Sequence, residues 1–262
     1  MLWTQPTAHL GNFLYDWMHA FNHRNQGLDI VCLRTEHVEP WIPIFGPAAE
    51  ALTIERSQVR WTDRREIGLF NEYGVAFDAG DLASFIEGFV LPSGVVAAQK
   101  LPDSLRLGER DVLVNVRRGD YFTNEANRRS YSFDTDDYLR VALAQARRTG
   151  GDIDRILVVS DGIQWCREHL SWLAQHCETL VWEDTGQPPD VHLAALANAP
   201  RLILTNSTFS YWGGYLSTWA TNRPDWVVAP WFHRREDEGG AAWQLDPNWT
   251  IVKDIPSGWV LP

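Results

Sequence analysis

At 262 residues the chain has room for one large domain or two small ones, each able to bury a core. A net charge of −11, from 23 Lys and Arg against 34 Asp and Glu, argues against a nucleic-acid backbone as partner. There is no leader-like segment and no apolar run of membrane-spanning length, so the expectation is a cytoplasmic protein without an integral membrane segment, peripheral membrane association being left open.

Met1 to Leu10 holds a short strand at most. Gly11 and Asn12 then open a helix-like stretch, with Phe13, Leu14, Trp17, Met18 and Phe21 at three- and four-residue steps and Gly27 as its stop. Asp29 to Leu33 reads as a strand. Residues 34 to 66 are interrupted by prolines, and Val90 to Val96 is broken by Pro92 and Gly94, so neither is assigned. From about residue 106 the pattern turns regular. Strands are expected at Val112–Val116, Arg155–Val159, Thr179–Trp182, Arg201–Thr205 and Trp226–Ala229. Helices are expected between them, at Thr135–Arg148, Ile163–His176, Pro189–Asn198 and Ser207–Thr221. Alternation at this spacing predicts βαβ units and a parallel sheet, with residues 1–105 as one half and 106–262 as the other.

Ligands of such sheets bind beyond the carboxyl ends of the strands. Three polar stretches fall there: Arg117–Asp120, Ser160–Asp161 and Asn206–Thr208. A strand running into the N-terminus of a helix aims unpaired N–H groups at one spot, which suits an anion. Arg117 and Arg118 are adjacent, so both cannot face one way unless the strand ends there; one reaches a phosphate, and the other pairs with Asp120 or supports the loop. The bland alternatives are a surface salt bridge for the arginines and an ordinary helix cap for Ser160, Asp161 and Ser207.

Other features carry less. Asp134 and Asp136 form a D-x-D directly before a helix, where capping explains them better than a metal-nucleotide site. His19 and His23 are four apart on a helix but lack a third ligand, and no metal is expected. The RGD at Arg118–Asp120 is a chance-level match to an adhesion tripeptide. Cys32, Cys166 and Cys177 have no metal-ligand spacing and read as free thiols of a reducing compartment. The chain has 14 Trp, which suit sugar stacking and core packing alike. Phosphate-loop, dinucleotide-binding and serine-hydrolase motifs are missing from the sequence.

At this point the sequence resembles a known family. VNVRRGDY is similar to the H-x-R-R-x-D stretch of the alpha-1,2-fucosyltransferases of glycosyltransferase family 11, and TNSTFSYWGGYL to its N-S-T-F-S-W-W-x-x-W-L stretch. VVSDGIQWCREHL resembles F-S-D-D-x-x-W-x-x-x-x-L, and HLGNFLYDWMHA resembles G-L-G-N-Q-x-F-Q-Y-A. VVAPWFH has a counterpart as well, and the segments keep the family's order from residue 9 to 233. Asn115 stands where the family has His and Gly162 where it has a second Asp. Phe13–Asp16, Tyr211 and Gly213–Gly214 also depart, so acceptor and linkage stay open.

The resemblance implies an α/β fold of the GT-B-like kind, two Rossmann-like halves with parallel sheets facing a cleft. It also implies an inverting, metal-independent, bacterial enzyme that moves fucose from GDP-fucose to O2 of a galactoside on a glycan acceptor. Arg118 (or Arg117), with Ser207, Thr208 and the backbone at Phe209, is assigned to the diphosphate, and Asp161 to the guanine or ribose. Asn115, Ser160 and Asn206 complete the donor side, with Gly11 and Asn12 approaching from the other half. Tyr15, Glu87 and Trp212 are assigned to the acceptor. Asp120, Glu87 or the leaving phosphate takes the acceptor proton. The alternatives are another GDP-sugar or linkage, and a non-catalytic nucleotide-sugar or glycan binder.

Overall fold

The computed structural model describes the chain apart from residues 3, 5–7, 237, 261, 262 and the side chain of 238. Two compact units divide between Ala97 and Ala98.

In the first unit α1 (Leu10–Asn25) forms where the three- and four-residue apolar spacing predicts it, and Phe13, Leu14, Trp17 and Met18 are buried. β1 (Cys32–Leu33) pairs in parallel with β2 (Thr53–Ile54). The short strand expected within Met1–Leu10 lies partly outside the described residues; Leu2 makes isolated parallel bridges to Cys32 and Glu66. The proline-rich stretch supplies α2 (Ile42–Phe45) and α3 (Pro47–Ala51), each with proline in its first turn, where no N–H is missed. α4 (Ala79–Phe85), capped by Asp78, runs through a π-helical turn into α5 (Leu91–Ser93), and Gly94 ends it in the left-handed region. Trp17, Phe45, Phe85 and Phe89 form an aromatic centre, with Phe85 and Phe89 stacked at 4.7 Å.

The second unit holds a six-stranded sheet in the order β5-β4-β3-β6-β7-β8, parallel throughout. Its strands are β3 (Val112–Val116), β4 (Arg155–Ser160), β5 (Thr179–Trp182), β6 (Leu202–Ile203), β7 (Val227–Pro230) and β8 (Thr250–Val252). Its helices are α6 (Gly119–Thr123), α7 (Glu125–Tyr131), α8 (Thr135–Gly150), α9 (Ile163–His169), α10 (Pro189–Ala197) and α11 (Thr208–Thr221). This is Rossmann-like order, with the chain reversing direction across the sheet between β3 and β6. The chain is therefore α/β with parallel sheets, as the GT-B-like expectation requires.

Alternation along the strands builds two apolar layers. Val112, Val114, Val116, Ile156, Val158, Ile203 and Val228 join Tyr138, Leu139, Leu143, Cys166 and Leu170 in one core. The opposite face, with Leu113, Leu157 and Leu202, is buried too. There α10 and α11 pack closely: a Cβ on Gly213 would overlap the side chain of Leu196. All residues of α11 from Ser210 to Ser217 are buried, so the helix is enclosed on every side.

The strand expected over Asp29–Leu33 is confined to Cys32–Leu33 and the one over Arg201–Thr205 to Leu202–Ile203, other ends shift by one or two residues, and three differences have a clear physical reason. Residues 98–105 pack with the second unit, because Leu101 and Leu105 are buried and Ser104 O accepts from Arg155 Nη1 (3.5 Å). The helix expected over Ile163–His176 stops at His169 and continues as a tighter 3-10 stretch, Ser171–His176, whose three-residue period puts both Leu170 and Leu173 in the core. Arg201 does not belong to β6. Its buried guanidinium caps α8, donating to the carbonyls of Ala146 (2.6 Å), Gly151 (3.1 Å) and Asp152 (3.0 Å).

Candidate functional site

β3 is apolar except at Asn115, which faces α11. Asn115 Nδ2 donates to Val159 O (3.2 Å), and its Oδ1 accepts from Ser210 Oγ (2.6 Å). Ser210 has only one hydroxyl proton, so the 2.6 Å contact between Ser207 Oγ and Ser210 Oγ is donated by Ser207. Ser207 also accepts from Ser210 N–H as the N-cap of α11 (3.1 Å). Its hydroxyl is thus occupied inside the protein. What the helix start presents is the backbone N–H of Thr208 and Phe209, which helix geometry leaves without intrahelical partners.

At the end of β3 the backbone N–H of Arg117 leaves the ladder and donates to Thr205 Oγ1 (2.8 Å), tying the β3 and β6 loops together at the reversal of strand order. The two arginines then part. Arg117 Nη1 pairs with Asp161 Oδ2 (2.5 Å) and Nη2 with Asp120, which leaves other guanidinium donors for a ligand. Arg118 is clamped between the rings of Phe122 (3.2 Å) and Trp165 (3.7 Å), and burial pushes its pKa down to about 10, so it stays cationic. Its backbone N–H donates to Asp161 Oδ1 (2.6 Å). Gly162 follows from this clamp: a Cβ there would lie 2.6 Å from Arg118 Cβ, so the family's second aspartate has no room.

A cavity of 290 Å³ opens at these strand ends. Arg117, Asp161, Ser160, Asn115, Ser207 and Phe209 line it, six of the residues assigned by sequence. Gln187, Pro189 and His192 line it too, from the loop after β5 and the first turns of α10. The sequence reading missed these three, because they belong to no motif; the one signal was a histidine inside a largely apolar helix. Burial lowers the pKa of His192, outweighing the opposing charges of Glu183 and Asp190, and its Nε2 is buried without a partner.

Other assigned residues stand elsewhere. Arg118, Asp120, Asn206 and Thr208 do not line the cavity. Asp120 accepts from Arg117 and, through its other oxygen, from Asn127 Nδ2 (2.9 Å), so it is a holder of Arg117 rather than a free base. Asn206 is buried and donates to the carbonyls of Tyr131 (2.8 Å) and His233 (2.7 Å), a structural tie between loops. Ser160 Oγ accepts from Gly162 N–H (3.0 Å). Trp212 is 0% exposed, which corrects its assignment to the acceptor: no ring face is open to a sugar.

In the first unit Gly11 and Tyr15 are buried, Asn12 is exposed, and Glu87 is exposed on the π-helical turn Ile86–Val90. Asn12, Tyr15 and Asp16 line a cavity of only 30 Å³, far smaller than a sugar needs. Burial pushes the Asp16 carboxyl up to about 7. His19 stacks on Phe70 (3.8 Å) and lies 4.0 Å from His23, and burial brings it down to about 4. Asp134 of the D-x-D caps α8 through Asp137 N–H (3.0 Å), and Asp136 pairs with Arg140 (2.8 Å). Among the described residues there is no cluster of three metal-ligating side chains, and no helix is long and apolar enough to cross a membrane.

An alpha-1,2-colitosyltransferase of Escherichia coli is 28% identical over 142 residues, 53% of this chain and 47% of the relative. The galactoside alpha-(1,2)-fucosyltransferase 1 of Rattus norvegicus is 31% identical over 128 residues, 46% of this chain and 33% of its own; the Homo sapiens protein is 30% identical over 126 residues, 46% and 34%. The chain thus spans less than half the length of these relatives. A solved structure, the glycosyl transferase family 9 protein from Veillonella parvula DSM 2008, aligns with a TM-score of 0.37 at 11% identity, over 92% of this chain and 68% of that one. The family profile for glycosyl transferase family 11 matches residues 101–234, which include every residue lining the cavity at the strand ends. Since that match covers just over half of the sequence, the chain belongs to glycosyl transferase family 11.

Proposed function

We propose that this protein is an inverting glycosyltransferase that moves L-fucose from GDP-fucose to a glycan hydroxyl, O2 of a galactoside, without a metal. The observation that carries the reading is Arg117, held by Asp161 and Asp120, beside the N-terminus of α11 in one cavity. Sugar transfer builds negative charge on the departing diphosphate. A preorganised guanidinium and the N–H of Phe209 at the start of α11 meet that charge where other enzymes use a metal. Asp161 and Asp120 act on Arg117 and position it, while Arg118 stiffens the loop through its aromatic clamp. Because both Asp120 oxygens are engaged, the leaving phosphate takes the acceptor proton. A cytoplasmic location accords with free thiols at Cys32, Cys166 and Cys177.

A second reading, transfer of a different sugar in the same linkage, is favoured by the name of the colitosyltransferase relative. The test is calorimetric titration with GDP, UDP and ADP in chelator, followed by transfer assays with GDP-fucose and galactose-terminated acceptors. Selective GDP binding, weakened at least about tenfold by Arg117→Ala, is expected. A preference for UDP with metal, or no nucleotide binding, overturns the donor. GDP binding without transfer to any acceptor leaves a nucleotide-sugar binder instead.

A further inference from the structure

The residues lining the cavity at the strand ends include one with a buried side-chain polar atom that the protein leaves unsatisfied, the imidazole of His192. Arg117 and Asp161 pair with each other, Asn115 and Ser207 are joined through Ser210, and Ser160 accepts from Gly162 N–H. Among the buried side-chain polar atoms of the described residues lining this cavity, Nε2 of His192 alone is without a partner. An orphaned buried nitrogen carries a desolvation cost that a bound ligand relieves, so it marks where a ligand's polar group belongs. His192 stands in the second turn of α10, whose next five residues, Leu193 to Ala197, are all buried. Its ring is therefore held by a rigid element packed on α11.

The chemistry of the position narrows the ligand. A diphosphate calls for positive charge, which Arg117 and the start of α11 supply. An imidazole whose charged form burial disfavours, even with Glu183 and Asp190 nearby, does not serve that end. The same cavity is lined by Pro189 and Phe209, apolar surfaces suited to a flat ring, and by Gln187. We infer that His192 hydrogen-bonds the nucleoside part of the donor, at its base edge or a ribose hydroxyl, and so helps to set which nucleotide the site accepts. This assignment rests on the nucleotide-sugar reading above.

The experiment compares binding of GDP, UDP and inorganic pyrophosphate by the full-length protein, its His192→Ala and His192→Gln variants, and Arg117→Ala. His192→Ala is expected to weaken GDP by about tenfold, the usual effect of losing one hydrogen bond to a buried partner, and to leave pyrophosphate unchanged. His192→Gln, which keeps a hydrogen-bonding group, restores part of the affinity. Arg117→Ala weakens GDP and pyrophosphate together. Within the expected result, a loss confined to GDP assigns the contact to the base edge, and an equal loss for UDP assigns it to the ribose. If wild type binds GDP and His192→Ala binds it within about twofold, or loses pyrophosphate equally, the inference fails while the nucleotide-sugar reading stands. If wild type binds no nucleotide, that reading falls and this inference with it.

Discussion

Arg117 and Arg118 are identical in chemistry and adjacent in sequence, yet they do different work. A strand that ends at Val116 sends consecutive side chains apart, and each finds its own surroundings: two carboxylates for Arg117, two aromatic rings for Arg118. Sequence placed a phosphate-binding arginine at this pair; which of them faces the cavity depended on Asp161 and Trp165, more than 40 residues further on. Asp16 makes a prediction at the same scale. It falls where α1 departs from the family's opening stretch, and burial lifts its pKa from 3.8 to about 7. Between those values the folded chain keeps a proton that the unfolded chain has released. The stabilisation from the neutral form is therefore complete below pH 3.8 and is lost as pH rises through about 7. Asp16→Asn, neutral at every pH, is expected to be more stable than wild type by a few kcal/mol, on the order of 4 at most, at pH 8 and equal to it near pH 4. Denaturant melts at the two pH values check this; a difference that is the same at both rules out ionisation as its source.

At the scale of elements, α11 joins core and site in one helix. Its N-terminus opens on the cavity, while its middle is enclosed by α10, the sheet and Trp249, whose Nε1 donates to Thr218 (2.9 Å). Glycine at 213 costs helix propensity, roughly 1 kcal/mol against alanine, and in return lets α10 approach. Gly213→Ala is therefore expected to destabilise the protein by about 1–3 kcal/mol despite the better helix former, because Leu196 cannot yield without moving α10. A lower denaturant midpoint with an unchanged slope is the signature; a raised midpoint would show that the helices have slack.

For the whole molecule, the division at Ala97 and Ala98 makes a prediction about what the second unit needs. A fragment of residues 98–262 retains Leu101 and Leu105 in its core and the Ser104 carbonyl under Arg155; one of residues 106–262 loses all three. Removing two buried leucines costs roughly 2–5 kcal/mol each, so the shorter fragment is expected to unfold at clearly lower denaturant. Equal midpoints for the two would place residues 98–105 outside the folding unit.

The sequence by itself determined the parts that follow from local pattern. Apolar alternation and caps fixed β3, β5 and α11 almost to the residue, and the polar stretches at strand ends marked four residues of the cavity, Arg117, Ser160, Asp161 and Ser207, to which the family resemblance added Asn115 and Phe209. Legibility stopped where partners lie far apart in the chain. The strand order that sets the β3 loop beside the β6 loop, with Arg117 N–H on Thr205 Oγ1 across 88 residues, is written in no local period. Nor are the enclosure of Trp212, the capping of α8 by Arg201 or the unpartnered His192. Periodicity tells which side of an element is apolar. What that side meets, and which polar group is left for a ligand, is decided only when the sheet assembles.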